Sequence, residues 1–62
     1  MKISVQAAPD FDNEIIDVSI VVDDGVIVNC YWVKGFDDVD WQKAHDYAVL
    51  LSKTLNCEVH MQ

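Results

Sequence analysis

Residues 14–34, Glu-Ile-Ile-Asp-Val-Ser-Ile-Val-Val-Asp-Asp-Gly-Val-Ile-Val-Asn-Cys-Tyr-Trp-Val-Lys, decide the fold. Ile16, Val18, Ile20 and Val22 recur at every second position, with Asp17 and Ser19 between them, as in a strand buried on one face. Asp23-Asp24-Gly25 then interrupts the apolar run with turn residues, and a second β-branched run follows. Two hairpin loops fit this turn. A two-residue loop at Asp24-Gly25 pairs Ile20 with Asn29. A three-residue loop, with Gly25 in the left-handed region, pairs Val22 with Val26, Ile20 with Val28, Val18 with Cys30 and Ile16 with Trp32. A slip of one residue moves every side chain to the other face, and only the second register keeps Asp17, Ser19 and Asn29 together on the wet side. That register is the expected one. It sends Trp32 to the core and leaves Val21, Ile27, Tyr31 and Val33 on the outer face.

Outward from this hairpin the chain reads cleanly. Residues 1–7 alternate, with Ile3, Val5 and Ala7 on one side, and residues 8–13 break the strand with Pro9 and three Asx residues. On the other flank Gly35 closes the third strand. Asp37 is placed to cap a helix, with Asp40 at its third position as a short capping box. Phe36 and Trp41 occupy the two hydrophobic-staple positions. Trp41, Ala44, Ala48, Leu51 and Leu55 continue as a stripe at helical spacing, and Asn56 serves as a left-handed stop. The last residues alternate again, Cys57, Val59 and Met61 inward and Glu58 and His60 outward. The reading is an α+β domain of order β-β-β-α-β. An antiparallel meander has one helix packed on one face and a short final strand parallel to the first or third. A right-handed crossover allows that strand to lie beside the first.

Sixty-two residues make one domain, spanning 1–62. At this length only ~60% of the unfolded surface is buried on folding, so association is a common source of extra burial. The chain carries eleven acids, nine of them Asp, against four lysines and no arginine, a net charge of −7. Such a surface repels phosphate backbones and anionic membranes, and it admits a basic-surfaced protein as partner. No h-region of a signal peptide and no apolar membrane span is legible, so the cytoplasm is the expected compartment.

The topology concentrates the charge. The first loop and the junction between third strand and helix fall at one end of the sheet, which gathers Asp10, Asp12, Glu14, Asp37, Asp38 and Asp40. Lys34 is the one lysine expected there. This carboxylate-rich end is the candidate partner-binding site, softened by the roughly half positive charge of the helix N-terminus. The second feature is Val21, Ile27, Tyr31 and Val33 on the outer sheet face, a candidate oligomer interface.

Catalytic and metal chemistry find little support. Asp10, Asp12 and Glu14 imitate the start of a calcium loop, but Ile15 and Val21 stand where it needs Gly and Glu. Cys30, Cys57, His45 and His60 lack zinc-site spacing, and the two cysteines read as buried thiols. No nucleophile sits in a His–acid constellation, and two glycines cannot form a phosphate loop. No cofactor, no metal and no enzymatic activity are therefore expected. In size and charge, and in no motif, the chain is similar to the small acidic inhibitors that phages use against restriction and CRISPR machinery. The expected function is that of an acidic inhibitor or regulator, a DNA mimic engaging a basic, nucleic-acid-binding surface. The alternative is an assembly module that homo-oligomerises, as a dimer, through an apolar sheet face or edge.

Overall fold

The computed structural model describes residues 2–23 and 25–61, without the side chains of Val26 and Ile27. The elements follow as β1 (Ile3–Asp10), β2 (Ile15–Val22), β3 (Val26–Lys34), α1 (Asp38–Leu55) and β4 (Glu58–Met61). They form one sheet of order β3-β2-β1-β4. β2 is antiparallel to both neighbours, and β4 lies parallel to β1, with Val5 opposite Val59. The sheet is therefore mixed, and the fourth strand takes the place beside the first that the crossover argument allows.

β1 runs further than the alternation suggested, through Pro9 to Asp10. Pro9 lacks an N–H and is tolerated only where no ladder bond is required of it. β4 pairs with Ser4–Ala7 alone, so Pro9 faces Ile16 of β2 and has no strand on its other side. The helix spans the 18 residues Asp38–Leu55, starts after Asp37 and ends at Asn56 with φ 54° and ψ 54°. Each boundary lies where capping chemistry puts it.

One face of the sheet carries the core. Val5, Ala7, Ile16, Val18 and Val33 are buried there with Ala44 and Ala48 of α1, and Phe36, Trp41, Tyr47, Leu51, Cys57 and Val59 pack around them. The helix turns Ala44, Ala48 and Ser52 toward the sheet at four-residue spacing, all buried. Three small residues in a row let the helix sit close to the strands. Ser52 keeps its hydroxyl satisfied by donating to the Val49 carbonyl at 2.8 Å.

The β2–β3 pairing corrects the sequence reading halfway along. The three-residue loop register holds from Val22–Val26 to Ser19–Asn29, and then a bulge intervenes. Cys30 has no partner, and Val18 pairs with Tyr31, Asp17 with Trp32 and Ile16 with Val33. Two residues of the bulged strand oppose one of its neighbour, which reverses the faces beyond it. Tyr31 and Val33, expected on the outer face, thus point to the helix side. Val33 is buried, and Tyr31 stacks on Tyr47 with ring centroids 4.3 Å apart. Trp32, expected in the core, lies on the outer face and is 59% exposed. The thin layer under an Ala44–Ala48–Ser52 helix face explains the reversal, because valine fits it where an indole would not. The bulge also turns Lys34 away from the core face.

Candidate functional site

The acidic end is assembled from two short connections. Residues 11–14 join β1 to β2, and residues 35–37 join β3 to α1. They are tied together: the Gly35 N–H donates to the Glu14 carbonyl at 2.8 Å, and the rings of Phe11 and Phe36 lie 5.5 Å apart, tilted by 49°. The six acids that the topology assigned to this end are therefore carried by adjoining segments.

Two of the six carboxylates, those of Asp10 and Asp40, are held by local hydrogen bonds. Asp10 closes β1, and its carboxylate accepts from Asn13 twice, from Nδ2 at 2.8 Å and from the backbone N–H at 3.3 Å. The side-chain hydrogen bond of Asn13 is the main cause holding the Asp10 carboxyl below its ordinary value. Desolvation opposes it, and backbone N–H groups of Asn13 and Asp12 add to it. Glu14 takes a left-handed φ of 56°, which aims its carbonyl at Gly35. Asp40, half-buried in the first helical turn, accepts the Asp37 N–H at Oδ2 at 3.1 Å. Asp12, Glu14, Asp37 and Asp38 are exposed.

Among the described residues no cation is paired with any of these six. The ion pairs there are His45–Asp46 at 3.7 Å and His60–Glu58 at 3.5 Å, both elsewhere. Nor do three or more His, Cys, Asp or Glu side chains converge on a point that could hold a metal ion among the described residues. The carboxylates are instead spread over the two adjoining connections and the ends of β1 and α1 beside them. Their reach is electrostatic, since fixed charges of one sign raise the local potential well above that of an even distribution.

Sequence reasoning missed Phe11, which is 75% exposed between Asp10 and Asp12. The signal was present: a phenylalanine inside an Asp-Phe-Asp-Asn turn has no strand or helix to bury it. Aromatic residues, phenylalanine included, are enriched at protein interfaces relative to the rest of the surface.

The candidate oligomer face fares differently. Val21 is half-buried on the outer face, whereas Tyr31 and Val33 belong to the helix side, and the Ile27 side chain lies outside the described residues. Ser19, expected on a wet face, is 4% exposed and donates to Asn29 Oδ1 at 3.0 Å. Trp32 takes the aromatic place on that face. Cys30 and Cys57 are both free and half-buried, where fully buried thiols were expected. No helix among the described residues is long and apolar enough to cross a membrane. Comparison with protein-family models, with curated proteins and with solved structures finds no match to this chain.

Proposed function

We propose that this chain is a non-enzymatic binding protein of the cytoplasm that engages a basic, nucleic-acid-binding surface of a partner protein through its acidic end. The observation that carries the reading is the docking of the two connections, Gly35 on Glu14 and Phe11 on Phe36. It holds six carboxylates on one rim with an exposed aromatic side chain among them. Duplex DNA presents one charge per roughly 1.7 Å of axis, and a rim of fixed aspartates offers a protein-borne substitute for part of that array. Complementary charge of this kind speeds encounter and selects the partner, and the aromatic side chain supplies contact area.

The test is capture of partners from native lysate on the immobilised chain, eluted by rising salt. A basic nucleic-acid-handling protein released at moderate salt is the expected result. Asp12→Asn and Asp38→Asn are the informative variants, because both residues are exposed and neither carboxylate takes part in a hydrogen bond among the described residues. Each should weaken binding by about threefold to tenfold and flatten its salt dependence, and Phe11→Ala should weaken it further. Tight binding indifferent to salt and to both variants would sink the reading.

A further inference from the structure

The two edges of the sheet are β4 and β3, and they are guarded differently. Natural edges are protected by shortness, charge, proline or a bulge. β4 has four residues and exposes Glu58 and His60. β3 has nine, and from Val26 to Val33 it contains neither a charge nor a proline. Among its described side chains three large apolar ones are exposed: Val28 at 51%, Tyr31 at 38% and Trp32 at 59%.

We propose that β3 pairs antiparallel with β3 of a second copy of this chain, about a two-fold axis near Cys30. Charge selects this occupant. An edge without acids gives a basic peptide nothing to pair with, and an acidic one is repelled by a protein of net charge −7. A second copy laid antiparallel puts the two acidic ends at opposite extremes of the pair. It also swings Lys34, the one cation of β3, toward the β2–β3 turn of the other copy, where Asp23 is exposed. Parallel pairing would bring the acidic ends together. Burial favours association as well, since three of the seven buried hydrophobic residues described are alanines and a core of this kind is marginal alone.

The bulge sets the strength. Cys30 interrupts the ladder close to the axis, and its Sγ donates to the Val28 carbonyl at 3.5 Å. Each half of β3 therefore pairs with the opposite half of the second copy, in a concentration-dependent equilibrium. This surface is independent of the acidic end.

Sedimentation equilibrium of the full chain tests the pairing across concentration and salt. The expected result is a monomer–dimer equilibrium that tightens as salt screens the mutual repulsion. Val28→Lys should weaken it by about tenfold, equivalent to 1.4 kcal/mol, with the circular dichroism of the fold unchanged. In a Cys57→Ser background, mild oxidation should trap a disulfide-linked dimer through Cys30, and Val28→Lys should abolish the trapping. A monomer at every concentration overturns the proposal, as does a dimer that ignores Val28→Lys and is not captured through Cys30.

Discussion

The acidic end and the β3 edge adjoin at a single peptide bond, between Lys34 and Gly35, yet they are built from opposite materials. At the acidic end the charges serve the backbone. Asp10 ties down Asn13, and Asp40 holds the N–H of Asp37, so the local field is a consequence of turn and cap chemistry collected by topology. Along β3 no charged group appears until its last residue, and the strand's geometry is fixed by what the helix leaves room for. The first region is organised by bonds three residues long and one bond between loops. The second is organised across the sheet. Their responses to salt should oppose one another, with partner binding loosened and self-pairing tightened.

The acidic end is most vulnerable at Gly35. Its φ of 101° is one that side chains rarely adopt, and a Cβ there would meet the Asp40 carboxylate. Alanine should cost ~1–2 kcal/mol for the backbone and about 1 kcal/mol more if the Asp40–Asp37 cap is displaced. Against a total stability of ~3–9 kcal/mol for a chain of this size, that is a large loss, visible as a lowered urea midpoint. Gly35→Ala should also weaken partner capture, while the molecules that remain folded still self-associate. A stability unchanged within about 0.5 kcal/mol would mean that Gly35 does not lock the two connections.

The two regions also differed in how far they could be read from sequence. Asp37, Asp40 and Asn56 carry short-range signals, and the cap and the helix end followed from them; the gathering of acids at one end followed from the strand order. The bulge at Cys30 carried none. Val26 to Val33 alternates as well in one register as in the next, and the choice rests on the small face of a helix some fifteen residues later. Phe11 differs from the bulge: its exposure was legible in the Asp-Phe-Asp-Asn turn, and only its contact with Phe36 depended on what lies across from it.

The β3 edge responds to deletion of Cys30. Removing a residue from the middle of a strand normally flips everything beyond it. Here the deleted residue is the one without a partner, so Asn29 stays opposite Ser19, and Tyr31 stays opposite Val18. The deletion variant should fold with Trp32 still exposed and Tyr31 still on Tyr47, at a stability within ~1 kcal/mol of the parent. Its straightened edge should self-associate more tightly, because a bulge is one of the devices that protect an edge. Unfolding, or a blue-shifted Trp32 emission, would favour the unbulged register.

The smallest effect concerns the charge of Asp10. Its carboxyl lies below the ordinary value of 3.8, first because of the Asn13 side chain. Asn13→Ala should therefore raise it toward 3.8, a change followed by carboxyl-carbon titration in NMR; the remaining backbone N–H bonds keep the rise partial. A folded value lower than the unfolded one contributes stability that is present above the unfolded value. That contribution is lost as pH falls through the folded value, so the window lies below about 4. The same window separates the two regions. Protonating Asp10 lowers the negative charge of the acidic end, and β3 itself holds no carboxylate to lose. Acid should therefore weaken capture of a basic partner while self-pairing through the ladder and apolar side chains of β3 persists, as long as the fold survives.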